Sequence, residues 1–428
     1  MKEDFLHYLW KYNYFDHSDL KTTTGLPITI QSNGVHNHDS GPDFSHGNIF
    51  IDQMQWIGQI EIHINSSDWY KHGHQHDTNY ENVILHVVWK DDKPVTNGKG
   101  VRLPTLELFN RIDLQLIDKY ESLIIQNSWI ACADNLHDID KCKVSMWLDG
   151  IAIEKLEQKS KLLLAELEMN TFHWKQVFMS YLFKAFGLKV NQDAFHCLAQ
   201  SLSYELVYKY SHNLIQLEAL LFGQAGMLSE KWTDSYAKRL LKEYRFIKHK
   251  HSLASIPLSY WKFSKLRPAN FPTIRIAQLA QLLHKTPTIF SIVLDSNIQE
   301  LYTIFDEICA SKYWNTHYRF DKESKSKVKM IGKDRIRLIF INCMSPVLFV
   351  YGKYRDLPQY INKSIHVLES LPAESNGIIK HWQKESICAK NALQSQALIF
   401  LKKSYCDQFK CVSCQIGHQL LSPQKRNE

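Results

Sequence analysis

"GPDFSHGNIFIDQMQWIGQIEIHIN", residues 41–65, decides how the N-terminal part of the chain is read. Residues 48–56 (NIFIDQMQW) and 58–64 (GQIEIHI) both alternate apolar and polar side chains, the period of a strand with two unlike faces. The connection between them is very short and predicts a hairpin. In the second strand Ile60, Ile62 and Ile64 point one way and Glu61 and His63 the other, because residues two apart share a face. Asp43 precedes the first strand, and hairpin pairing carries it toward the Glu61 and His63 face. Two carboxylates offer the hard oxygen donors that Mg²⁺ or Mn²⁺ prefers. A cation held there can activate a water for attack at phosphorus. Each residue alone has a plainer explanation. Asp after Gly-Pro turns a backbone, and Glu sits well on a solvated sheet face. Those explanations do not account for a polar pair opposite so apolar a face.

The flanking sequence extends the pattern. Residues 3–15 carry Phe5, Tyr8, Leu9 and Tyr12 at helical spacing. LPITIQ (26–31) alternates as a strand, and NVILHVVW (82–89) is dense enough for a strand covered on both faces. The polar stretch 66–80 suits a short helix or an ordered loop. LPTLEL (103–108) predicts one more strand. From about residue 111 the period turns helical, with one long helix over 145–169 and a helix stop at Gly187. The fold class is therefore α+β. An α/β domain spans 1–110, a connecting segment 111–144, and a mostly helical region 145–428 that ends in a cysteine-rich knuckle at 406–414.

Asp43 in GPDF, Glu61 and His63 in EIH, and the helix–strand–strand–strand–helix-or-loop–strand order over residues 3–90 resemble the PD-(D/E)XK restriction-endonuclease-like superfamily. The resemblance implies a metal-dependent nuclease in which Asp43 and Glu61 bind the catalytic cation. His63 stands where that superfamily has a water-activating lysine, and a histidine lacks the lysine's permanent charge. Glu3 stands where the first helix often adds an acidic group. Two other readings remain: a non-catalytic nucleic-acid-binding or scaffold protein on a degenerate nuclease fold, and a His-ligated metalloenzyme acting on a small molecule. The last rests on His72, His74 and His76, followed by Asp77, with His36 and His38 upstream and His86 on the next strand. Imidazole suits transition metals. A His-rich surface loop and a core His86 explain the same residues without a metal.

Cys406, Cys411 and Cys414 form a C-x4-C-x2-C group. Such spacing suits a structural zinc or an iron–sulfur cluster, because a short turn lets two thiolates meet one centre. Candidates for a fourth ligand are Cys388, His418, Cys132 and Cys142. Nine cysteines in 428 residues do not make a disulfide framework.

The formal charge of +7 is compatible with a polyanionic partner such as nucleic acid. Arg267, Arg275, Lys333, Arg335 and Arg337 in the helical part are candidates for contacts to its backbone. No uninterrupted apolar run is long enough for a membrane span. The N-terminus lacks a signal peptide's apolar segment, so the expected compartment is the cytoplasm. Taken end to end, GPDF, EIHINSSDWYKHGH, VILHVVW, RPANFPTIRIAQLAQLL and YCDQFKCVSCQIG resemble an uncharacterised bacterial family of unknown function.

Overall fold

The computed structural model describes residues 2–37, 40–125 and 128–422. The chain divides into two compact units. The first runs to Trp147 and takes back Lys384–Ser386 and the segment from Phe400 onward; the second comprises Leu148–Gln383 and Ile387–Ile399. The region expected as a connector over 111–144 thus belongs with the sheet, and so does the cysteine-rich end of the chain.

The first unit opens with α1 (Glu3–Lys11), whose acidic Glu3 and Asp4 suit the positive end of a helix. Six strands follow: β1 (Ile28–Ser32), β2 (Val35–His36), β3 (Phe44–Ile51), β4 (Met54–Asn65), β5 (Val83–Lys90) and β6 (Thr105–Glu107). The sheet order is β1-β3-β4-β5-β6, with β2 also on β3. β1, β2 and β4 each pair antiparallel with β3, while β5 runs parallel to both β4 and β6. The β4–β5 crossover carries a single helical turn, α2 (Asp68–Lys71), and two 3₁₀ turns. After β6 comes α3 (Leu114–Ile125).

The hairpin turn falls at Asp52, earlier than the alternation suggests: β3 ends at Ile51 and β4 begins at Met54. Asp52 adopts φ 56°, the left-handed region a tight turn requires. Met54, Trp56 and Ile57 are exposed apolar residues of the hairpin tip. Their alternation continues that of β3 across the turn, which is why the turn could not be placed by period alone.

One sheet face builds the core. Ile60, Ile62, Leu85 and Val87 pack with Phe5, Leu6, Leu9 and Trp10 of α1 and with Leu116, Tyr120 and Leu123 of α3. Phe5 stacks on Tyr120 at 4.0 Å. Each fully buried large apolar side chain stabilises the unit by roughly 1.5–3 kcal/mol relative to exposure. Leu421 of the C-terminal helix (Gln415–Leu421) completes this core. Tyr8 Oη of α1 lies 3.0 Å from His418 Nδ1 of the same terminal helix. The opposite face is capped by Trp69, packed with Val83, Val95 and Leu103. The crossover is pinned at its start by Asp92, whose carboxylate accepts from Ser66 Oγ and from Ser67 N and Oγ.

The second unit is helical. Gly187 marks the expected break, with Leu188 at φ 53° and ψ −166° inside the Trp174–Gln200 segment. A Cβ on Gly187 would lie 2.9 Å from Gln192 Cα, so only glycine fits that bend. Residues 333–355 form one continuous helix with a π turn at Phe340–Met344 just before Pro346, which has no N–H to donate to an earlier turn. This helix is long and apolar enough to cross a membrane by length and composition, but 72% of its apolar window is buried inside the protein, as in a core helix.

Candidate metal centre

The period-2 alternation of β4 puts Glu61 and His63 on the sheet face away from the core, and the crossover then covers them. Glu61 is 4% exposed and His63 1%. A one-residue bulge in β3 sets Asp43 beside them. Phe44 pairs with Ile60 but Gly47 pairs with Gly58, so three steps on β3 face two on β4. His46 takes up the extra residue at φ 59°. Asp43 and Glu61 then interlock. The Asp43 N–H donates to Glu61 Oε2 at 3.1 Å, and the Ile62 N–H donates to Asp43 Oδ2 at 2.9 Å.

α1 adds two groups from one face, a turn apart. His7 Nε2 lies 3.3 Å from Asp43 Oδ2. Glu3 is placed where the charges of His7 and Asp43 act on it. The crossover adds His72 and His74, and β5 adds His86. His63 Nδ1 lies 2.8 Å from His86 Nε2, and His63 Nε2 lies 3.0 Å from His72 Nδ1. Glu61 Oε1 lies 3.2 Å from His74 Nε2 and 3.6 Å from His63 Nε2. Tyr80 stacks on the His74 ring at 3.8 Å.

These spacings suit a cation. Donors bound at 2.0–2.2 Å to one tetrahedral ion stand about 3.3–3.6 Å apart. The ligand atoms of His63, His72 and His74 all lie within 4.8 Å of one another. His7 Nε2 and His74 Nε2 are buried and make no hydrogen bond, although each is aimed at a carboxylate oxygen.

The electrostatics agree with that geometry. Burial, with Asp43 beside it, pushes Glu61 up to about 9. Burial also raises Glu3. Burial and three neighbouring imidazoles (His86, His74 and His72) push His63 down to about 2, and burial takes His86 down to about 4. His63 is therefore a neutral imidazole at physiological pH. It has lone-pair density for a metal but is too weak a base to take a proton from water. His7 moves upward; burial opposes the shift, but the Asp43 carboxylate outweighs it. Glu3 and Glu61 resist ionising while His63 and His86 resist protonation, a combination that a bound cation would reconcile.

Of the residues singled out in the sequence, Glu3, Asp43, Glu61, His63, His72, His74 and His86 come together here. His36 stacks on Phe44 and lies 5.4 Å from His7, ring to ring. His76 is exposed on its 3₁₀ turn, and Asp77 caps the next turn by accepting from Asn79 N. His38 lies outside the described residues. His7 was missed; its only signal is a four-residue spacing from Glu3, which places both on one helix face.

The basic candidates lie in the second unit and differ in role. Arg275 is 5% exposed and donates to Gln278 Oε1 and Asn270 Oδ1, so its guanidinium is engaged inside the unit. Arg337 is partly buried and pairs with Asp334 at 3.0 Å. Arg335 is half-buried, whereas Arg267 and Lys333 are exposed. Cys406, Cys411 and Cys414 line one small pocket of the first unit together with Cys132. Cys142 and Cys388 are exposed, and His418 Nδ1 faces Tyr8.

Fold and site together define a mixed-sheet protein with a carboxylate–imidazole cluster on one sheet face, buried at Glu61, His63 and His86. Over residues 3–377 the chain matches a family described as protein of unknown function, DUF2851, and it belongs to that family. No curated protein and no solved structure matches it.

Proposed function

We propose that the protein is a metal-dependent hydrolase of nucleic-acid phosphodiesters, acting at the Asp43–Glu61 site. The observation that carries this reading is the interlocked Asp43–Glu61 pair beside His63, His72 and His74, whose ligand atoms lie within 4.8 Å of one another. Further support comes from the order of elements, a helix, an antiparallel hairpin and a parallel strand, with Asp43 immediately before β3 and Glu61 on β4. A bound divalent cation would lower the pKa of its water and polarise a phosphoryl oxygen. Asp43 and Glu61 would hold the cation through carboxylate oxygens, and His63 would serve as a nitrogen ligand oriented by His86. With imidazoles added to the carboxylates, Mn²⁺ or Zn²⁺ suits the set better than Mg²⁺.

The test uses a generic phosphodiester, bis(p-nitrophenyl) phosphate, with single- and double-stranded DNA and RNA alongside. Protein stripped of metal and reloaded with Mn²⁺ hydrolyses the ester, and Asp43→Asn does not. Equal rates in the two proteins would overturn the reading.

A second reading, a His-ligated metalloenzyme on a small molecule, draws on the three imidazoles within 4.8 Å of one another. It predicts a tightly retained transition metal that His72→Ala or His74→Ala releases, and no phosphodiester cleavage.

A further inference from the structure

Outside the carboxylate–imidazole cluster, one other group of metal-ligating side chains converges. Cys132, Cys406, Cys411 and Cys414 line the same pocket, closed off by apolar neighbours such as Leu123 and Ala131. Cys132 follows α3, and the other three belong to the C-terminal segment, so the chain brings a remote cysteine to the C-x4-C-x2-C group. All three of the latter sit on a tightly folded stretch. Two 3₁₀ turns, Cys406–Gln408 and Cys411–Ser413, lead into the terminal helix. Phe409 takes φ 54° between them. A Cβ on Gly417 would lie 2.1 Å from the Cys411 carbonyl oxygen, so glycine alone lets the knuckle close on the helix.

Cys414 is buried, and Cys132, Cys406 and Cys411 are partly so. At Cys414 the backbone N–H groups of Ile416 and Gly417 face the sulfur and favour its thiolate. Backbone N–H donors on a sulfur are of use to a bound thiolate and wasted on a thiol.

Spacing decides between occupants. Four thiolates on a single zinc, each 2.3 Å from it, would stand about 3.8 Å apart. Among the described residues the tight group of three donors within 4.8 Å is the histidine one, so these sulfurs are more widely spread. A cluster of several irons takes its thiolates on separate metals, and C-x4-C-x2-C with one remote cysteine is a known iron–sulfur spacing.

We infer that Cys132, Cys406, Cys411 and Cys414 hold an iron–sulfur cluster that fastens the C-terminal segment to the loop after α3. The terminal helix also packs on α1, which carries Glu3 and His7, so the cluster supports one wall of the carboxylate site from behind. The inference stands apart from the proposed hydrolysis.

The test is expression of the full chain with iron, anaerobic purification, and assay of iron, zinc and acid-labile sulfide per chain. Wild type and Cys142→Ser carry iron and sulfide with the broad visible absorbance of iron–thiolate charge transfer. Cys132→Ser and Cys411→Ser lose most of both. If a variant fails to fold, alkylation mapping of the wild type replaces it: removing the iron makes Cys132, Cys406 and Cys411 newly reactive, while Cys142 and Cys388 react throughout. Zinc without sulfide, no metal at all, or a Cys132→Ser protein with its full complement of iron would each overturn the inference.

Discussion

Asp43 and Glu61 hold each other's strand: the Asp43 N–H donates to the Glu61 carboxylate, and the Ile62 N–H donates to the Asp43 carboxylate. Those two bonds fix the acids side by side, Asp43 partly exposed and Glu61 buried, and a buried Glu61 charge is costly unless a positive charge joins it. The cost makes metal-free stability depend on pH. Glu61 has a folded value near 9 against an ordinary 4.5. A raised acid stabilises the folded state fully below its unfolded value, and that contribution is lost as pH rises toward the folded value. In chelator the wild type therefore loses stability between about pH 4.5 and pH 9. Glu61→Gln removes this dependence and is the more stable protein at pH 8.5, by on the order of 1 kcal/mol or more. Thermal unfolding across pH checks it; parallel profiles for the two proteins would contradict it.

Proton release gives a second reading of the same pair. If Glu61 is protonated at neutral pH without metal, cation binding must expel that proton. Calorimetric enthalpies of Mn²⁺ binding measured at pH 7 in buffers of different ionisation enthalpy should report about one proton released per cation. Enthalpies independent of the buffer would mean that Glu61 is already ionised.

His86 touches no carboxylate, yet it holds His63 Nδ1 at 2.8 Å. At the proposed metal site it would be a positioning residue. His86→Ala should weaken metal binding by roughly 10–100-fold through the orientation of His63. His86→Asn, which can still meet a ring N–H, should recover part of that. Circular dichroism and metal titration together separate this effect from loss of fold.

In the second unit, Arg275 and Lys333 should behave oppositely. Arg275→Ala removes bonds to Gln278 and Asn270 from a buried site, and should destabilise by about 1–3 kcal/mol. Lys333 is exposed, and its removal should leave unfolding by denaturant unchanged. If the protein binds DNA, the salt slope of binding should flatten with Lys333→Ala.

Much of this site was legible in the sequence because strand period is a strong signal. Glu61 and His63 had to share a face, and Ile60 and Ile62 had to take the other. The bulge at Ser45–His46 was not legible: one extra residue leaves no trace in composition, yet it sets Asp43 against Glu61. His7 was hidden for a different reason, since a single histidine on an amphipathic helix looks like any half-buried residue. The convergence of His72 on His63 and of His74 on Glu61 depends on a crossover folded over the sheet, held by Trp69 and Asp92, and no local pattern predicts that fold-back. The return of the C-terminal segment to the first unit is likewise a long-range contact, so Cys132 was only one of several candidate partners for the knuckle.

If Asp43 and Glu61 bind one catalytic cation together, neither alone can hold it. The most direct test is calorimetric titration of Mn²⁺, and separately Zn²⁺, into metal-stripped wild type and into folded Asp43→Ala and Glu61→Ala proteins. The account predicts saturable binding in the wild type that both variants lose. Binding that survives both substitutions, or none in the wild type, would contradict it.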